Sequence, residues 1–192
     1  AAERLMACYW PGPLTLVMRK GPAVPPEVTA GLDTVGIRMP DHPVALALIR
    51  AAGVPIAAPS ANTSGRPSPT TAEHVVEDLA GRVPVILDGG ETGVGVESTV
   101  LDVTTDPPMI LRPGGLTREE IEAAIGPVEL APGLEGGVVE RPRSPGMKYR
   151  HYAPRAPLIL VDGPVLEMQE KTRDLAMEYA EEGKRVGILC SA

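Results

Sequence analysis

Apolar residues recur along this chain in short bursts, and the residues bounding each burst indicate what it forms. The spacing predicts a helix over 42–52 (HPVALALIRAA), with Asp41 as N-cap, Pro43 in the first turn and Gly53 as the stop. Thr70 with Glu73 reads as a capping box for a helix that ends at Gly81. Thr117 with Glu120 repeats the device for one that ends at Gly126. A longer, more charged helix is expected near 165–182, closed by Gly183. Between the helices, aliphatic runs read as strands: 14–18 (LTLVM), 34–39 (TVGIRM), 54–58 (VPIAA), 83–87 (VPVIL), 98–103 (STVLDV) and 109–112 (MILR). The last two flank Thr104-Thr105-Asp106-Pro107-Pro108, a turn suited to an antiparallel pair. Strands and helices mix without strict alternation, so the expected class is α/β (α+β), a mixed sheet with helices.

The pattern changes near residue 127. Residues 127–157 are rich in Pro and Gly with little periodicity, as in a linker or an ordered loop. From Pro157 the order becomes strand (158–161), helix (165–182), strand (186–190), the opening of a parallel βαβ unit. The reading is a first domain over 1–127, a linker over 128–156, and the start of a second domain over 157–192. The opening Ala-Ala-Glu-Arg-Leu-Met lacks the basic-then-apolar pattern of a signal peptide and enters at once into a helical pattern, so the sequence reads as a fragment.

Composition narrows the classes. With 21 Gly and 22 Pro in 192 residues, turns cut the chain too often for a coiled coil or a long helical bundle. No apolar run approaches the ~18 residues of a membrane span. Two cysteines, Cys8 and Cys190, make no disulfide framework and fit a reducing, cytoplasmic setting. A net charge of −7 argues against coating nucleic acid through bulk charge, though not against a local basic site.

The common catalytic signatures are absent: no G-x-x-x-x-G-K-[ST], no H-E-x-x-H, no C-x-x-C. Gly93 and Gly95 begin a dinucleotide pattern, but Ser98 fills its third position and a strand follows, so that reading is rejected. Four segments place polar or cationic groups at strand ends. They are Thr34–Arg38 (TVGIR), Ala57–Pro67 (AAPSANTSGRP), the glycine-rich stretch from Asp88 to Val100, and Arg112-Pro113-Gly114-Gly115. Arg38 lies in an otherwise buried-looking strand, where its guanidinium needs an anionic partner. Singly, each segment has a plain alternative: a structural ion pair, a polar loop, a hairpin loop, a surface arginine. Together they suit a small anionic ligand bearing phosphate and carboxylate. The stretch Ser144–Pro154 (SPGMKYRHYAP) holds two of the five aromatic residues, and Arg141 to Arg155 carries five cations and no acid. Tyrosine faces stack on bases and cations cover phosphates, while packing of the linker on the first domain is the competing explanation.

The string SPGMKYRHYAP resembles the linker of the two-domain L-threonylcarbamoyladenylate synthases of the YrdC-like family. TVGIRMP, APSANTSGRPSPT, DGG…ESTV and ILRPG resemble that family's catalytic domain in order and spacing, so the likeness runs from about Tyr9 to Pro154. Residues 157–192 resemble the start of its Rossmann-like second domain, by position more than by motif. The resemblance implies a YrdC-like twisted mixed sheet and a nucleotidyltransferase that turns L-threonine, bicarbonate and ATP into threonylcarbamoyl-AMP and pyrophosphate. The product then serves modification of a tRNA adenosine by partner threonylcarbamoyl-transferring proteins; weak contact with tRNA or double-stranded RNA is a further expectation. By motif, Arg38 would hold the threonine carboxylate, with Ala58 and Ser98 lining the threonine pocket. Thr34, Ser60, Asn62, Ser68 and Arg112 would contact ATP, and Tyr149 would close over the nucleotide, with Lys148, His151 and Tyr152 beside it. No covalent nucleophile and no protein-held metal is implied; Mg2+ would ride on the ATP phosphates. The family's Lys/Arg-rich K-R-x-x-x-[PT]-L-type segment precedes the part matched here, so the sequence as given is expected to bind weakly or be inactive alone. Two readings compete. One is a YrdC-like domain making a carbamoyl-adenylate for another pathway; the other is a binding module for double-stranded RNA or tRNA.

Overall fold

The computed structural model describes residues 1–135 and 156–190. The chain divides into two compact units, Ala1–Ala153 and Pro154–Ala192, each described by itself. In the first unit the order is α1 (Ala2–Tyr9), β1 (Leu14–Arg19), a 3-10 turn (Pro26–Val28), β2 (Thr34–Ile37), α2 (Pro43–Ala52) and α3 (Ala72–Leu79). There follow β3 (Thr99–Asp102), β4 (Met109–Arg112), α4 (Arg118–Ile125), β5 (Glu129–Leu130) and a second 3-10 turn (Pro132–Glu135). The second unit holds α5 (Val165–Glu181).

The helix ends follow local chemistry closely. Thr117 accepts the N–H of Glu120 while the Glu120 carboxylate accepts that of Thr117, so the capping box forms as the sequence predicts. At α3 the cap moves one residue, to Thr71, which accepts from the His74 N–H; two adjacent threonines offered the same hydroxyl. Helix α2 starts after His42 without a side-chain cap, so Asp41 does not serve, and Gly53 closes it in the left-handed conformation with φ +67°.

The five strands form one sheet in the order β2-β1-β3-β4-β5. Pairs β1/β2 and β3/β4 are antiparallel, while β1/β3 and β4/β5 are parallel. The sheet is therefore mixed, as expected. The runs 54–58 and 83–87 have strand composition but join no ladder, and Val54, Ile56, Val85 and Leu87 are exposed. In the second unit 158–161 and 186–190 likewise join no ladder among the described residues, with Leu158, Leu160 and Leu189 open to solvent. Apolar composition makes a strand only where a neighbour supplies the other half of the hydrogen bonds.

Alternation along β1 divides the sheet's two faces. Leu14 and Leu16 join Leu101, Ile110, Leu5 of α1, and Ile121 and Ala124 of α4 in the main core. Thr99 shares that face and locks α4 to it, donating to Leu116 O and accepting from the Leu116 N–H. On the opposite face Val17, Val100, Leu111 and Ala131 form a smaller cluster. A register shift between Val100 and Leu101 sets Leu101 opposite Ile110 but Val100 opposite Arg112. Leu111 is thus an extra residue, a β-bulge. Strict alternation from Ile110 would turn Arg112 toward the helix-covered face. The bulge instead carries both Leu111 and Arg112 to the side of Val100.

Candidate functional site

The sheet face opposite the core formed with α1 and α4 brings the expected groups together. In β1 its positions are Thr15 and Val17; in β2, paired Val17↔Gly36 and Arg19↔Thr34, they are Thr34 and Gly36. Arg38 follows in the same alternation. Val100 of β3 pairs with Thr15 on one side and Arg112 on the other. Gly36 is the floor of this strip. A β-carbon there would meet the Thr15 methyl at 3.3 Å, so any larger residue would crowd the surface between Thr34 and Arg38.

Ser98 stands at the mouth of β3, nearly fully buried. The Arg112 guanidinium donates Nε (3.2 Å) and Nη2 (2.8 Å) to the Ser98 carbonyl, and Nη2 also reaches Ser98 Oγ at 3.2 Å. Ser98 Oγ shares a further hydrogen bond of 2.8 Å with Thr15 Oγ1. Behind it, Gly114 packs directly on the backbone of Glu97, Ser98 and Thr99, and the Gly115 N–H donates to Glu97 O. The glycine pair after β4 exists because the chain there touches the chain before β3.

Arg38 requires a correction. It does not lie inside a buried strand: β2 is an edge strand, its ladder ends at Ile37, and Arg38 is open to solvent just beyond it. Partial burial, and then the positive charge of Arg112, still hold its guanidinium below its ordinary value. Among the described residues no carboxylate forms an ion pair with Arg38. Two cations on one sheet face give this strip a positive potential of the kind that suits an anion.

The loop 60–68 supplies a second set of polar groups. Asn62 donates its amide N–H to the carbonyls of Thr63 (3.0 Å) and Arg66 (3.1 Å), which curls the loop on itself. Asp78 of α3, with a side chain only 6% exposed, accepts the Thr63 N–H at 2.9 Å and pairs with the Arg66 guanidinium. Held this way, Asn62 Oδ1 and Ser68 Oγ are buried with no hydrogen-bond partner among the described residues. An unpaired buried polar atom costs roughly 1–3 kcal/mol, which a ligand bonding to it would recover.

Thr34, Arg38, Ser98 and Arg112 therefore share one face, while Asn62 and Ser68 share one loop. Ala58 lies just before that loop and Ser60 at its start, both exposed, with no hydrogen bond to the sheet among the described residues. Lys148, Tyr149, His151 and Tyr152 lie outside the described residues. A separate shallow depression is lined by Ala72, Glu73, Val76, Glu77, Ile86 and Asp88. Its three acids suit no anion, and it includes none of the expected residues. Sequence reasoning missed Thr15 and Asp78. The signal for Thr15 was present: a hydroxyl interrupting the apolar run LTLVM, on the side its aliphatic neighbours avoid.

Two family models match the chain. The Sua5/YciO/YrdC family model, described as "Telomere recombination", covers residues 1–114, and a model described as "Threonylcarbamoyl-AMP synthase, C-terminal domain" covers 116–192. The threonylcarbamoyl-AMP synthase of Pyrococcus abyssi is 54% identical over 190 residues, spanning 99% of this chain and 56% of that protein. The Bacillus subtilis threonylcarbamoyl-AMP synthase is 58% identical over 189 residues, spanning 98% and 53%. The crystal structure of P. abyssi Sua5 complexed with L-threonine superposes with a TM-score of 0.94 at 54% identity, covering 100% of this chain and 56% of that one. The chain thus spans about half the length of the curated relatives it matches. With one model ending where the next begins, and relatives more than half identical along nearly every residue, the chain belongs to the Sua5/YciO/YrdC family.

Proposed function

We propose that the protein makes threonylcarbamoyl-AMP from L-threonine, bicarbonate and ATP, releasing pyrophosphate, for later transfer to a tRNA adenosine by other proteins. The observation that carries this reading is the pairing of two guanidinium groups, Arg38 and Arg112, across one sheet face beside the buried Ser98 hydroxyl. Arg38 receives the threonine carboxylate, and Ser98 and Ala58 line the amino-acid pocket. Arg112 faces the nucleotide phosphate. Thr34, Ser60, Asn62 and Ser68 contact ATP, a role supported at Asn62 and Ser68 by their unpaired buried oxygens. Tyr149 and its neighbours Lys148, His151 and Tyr152 are assigned to the nucleotide on sequence alone.

The reaction needs placement more than activation of a side chain. The threonine nitrogen forms a bond to the bicarbonate carbon with loss of water, giving a carbamate. A carbamate oxygen then attacks the α-phosphorus of ATP, and the bond to the β-phosphate oxygen breaks to release pyrophosphate. The carbamate and its mixed anhydride with AMP are anionic and prone to hydrolysis, so two cations on one face supply the needed charge balance. Among the described residues no group of three or more His, Cys, Asp or Glu stands ready to hold a metal. Mg2+ is assigned to the ATP phosphate oxygens, where it would neutralise charge on the leaving pyrophosphate.

The division 1–127, 128–156 and 157–192 completes the proposal, with the last part opening a Rossmann-like domain. That assignment is supported by apolar runs on either side of α5. No helix of the described residues is long and apolar enough to cross a membrane, and the setting proposed is cytoplasmic. The test is pyrophosphate release by the full-length protein with ATP, Mg2+, bicarbonate and L-threonine. Release should require both threonine and bicarbonate. Release indifferent to threonine would assign the site to a different carbamoyl-adenylate. Strongly salt-dependent RNA affinity with no pyrophosphate would favour the RNA-binding alternative.

A further inference from the structure

We infer that Thr15 is a positioning residue for the amino-acid pocket: its hydroxyl sets the direction in which Ser98 offers its proton. The inference rests on the reading that Ser98 lines the threonine site. A serine hydroxyl has one proton to donate and two lone pairs to accept with. Arg112 can only donate, so its 3.2 Å contact to Ser98 Oγ occupies one lone pair. The 2.8 Å bond to Thr15 Oγ1 runs either way. When Ser98 donates to Thr15, its proton is spent inside the protein. When Thr15 donates to Ser98, both lone pairs are filled and the Ser98 proton must point outward.

An anionic oxygen in the pocket selects the second arrangement. Donation from a guanidinium polarises the Ser98 hydroxyl and makes it a stronger donor, which an anion exploits better than a neutral hydroxyl does. The rotor that permits the switch is itself held. Thr15 is β-branched and stiff at χ1, it pairs with Val100 from β1, the strand between β2 and β3, and its methyl lies 3.3 Å from where a β-carbon on Gly36 would stand. With the methyl turned toward Gly36, Oγ1 is left on the side of Ser98, to which it is bonded. Thr15 thus touches no substrate in this account. It acts by keeping Ser98 a donor toward an anionic ligand oxygen, the carboxylate of the amino acid or the carbamate formed from it.

The experiment compares Thr15→Val, Thr15→Ser and Ser98→Ala in the full-length protein, reading KM for threonine and for ATP, kcat, and Tm. Val keeps the shape and removes the hydroxyl; Ser keeps the hydroxyl. Thr15→Val should raise the threonine KM about tenfold, equivalent to roughly 1.4 kcal/mol, with the ATP KM within about twofold. Thr15→Ser should restore the threonine KM to within about threefold. Adding Thr15→Val to Ser98→Ala should change nothing further, since the two act through one hydroxyl. A threonine KM unchanged by Thr15→Val while Ser98→Ala raises it overturns the role of Thr15 and leaves the pocket assignment standing. A threonine KM unchanged by Ser98→Ala overturns the pocket assignment itself. Equal rises in both KM values with a lowered Tm would reduce Thr15 to a structural residue and also overturn the inference.

Discussion

Replacing Asp78 tests whether the loop 60–68 is preorganised by helix α3. The carboxylate is buried, 6% exposed, and its partners include the Thr63 N–H and the Arg66 guanidinium, whose own side chain is 37% exposed. Breaking a fully buried pair from one side costs about 3–5 kcal/mol, but Arg66 regains water when released, which argues for the lower end. A hydrogen bond to a charged group contributes about 1.5–3 kcal/mol, and the Thr63 N–H would lose one. Asp78→Ala should therefore destabilise the first unit by roughly 2–3 kcal/mol. Asp78→Asn should cost about 1.5–2 kcal/mol, because its amide retains one acceptor but turns a donor toward another donor. Urea unfolding followed by circular dichroism measures this as a lowered midpoint at unchanged slope. With the loop loosened, Asn62 and Ser68 lose their fixed placement, so ATP affinity should fall about tenfold while threonine affinity stays within about twofold. A stability change under about 0.5 kcal/mol, or equal loss of both ligands, would refute the argument.

Gly114→Ala would drive a β-carbon into the backbone of Glu97, Ser98 and Thr99, which cannot yield as a side-chain tip can. Its Tm should fall by the equivalent of about 1–3 kcal/mol, and threonine affinity should weaken with it because Ser98 is displaced. Glu122 is held below its ordinary 4.5, first by the hydrogen bond from Arg118 and then by the Val128 N–H. Its contribution to stability is fully present above its unfolded value and is lost as pH falls through the lower folded one. Urea midpoints between pH 6 and pH 3 should therefore fall less steeply for Glu122→Gln than for the parent protein.

Features set by neighbouring residues were legible in the sequence. The capping box of Thr117 and Glu120, the stop at Gly53 and the β3–β4 turn through Thr104–Pro108 all follow from chemistry within a few positions. The candidate anion site was legible as residue types at strand ends, and four of those residues do meet on one face. What was hidden depends on contacts distant in sequence. Residues 54–58 and 83–87 have the composition of strands, yet pairing is decided by a partner that local pattern does not reveal. The bulge at Leu111 aims Arg112 at Ser98, and one extra residue in a ladder leaves no mark on apolar periodicity. Asp78 gives no signal in the local pattern because Thr63, whose N–H it accepts, lies fifteen residues earlier.

The central claim is that Arg38 receives the amino-acid carboxylate while the nucleotide is held elsewhere. Calorimetric titration of L-threonine into the full-length protein and its Arg38→Ala variant tests it most directly, with ATP titrated in parallel. Removing one partner of a ligand-covered charge pair should weaken threonine binding by about 2–5 kcal/mol, with ATP affinity kept within about threefold. Threonine affinity within about threefold of the parent protein would contradict the account, whatever happened to ATP.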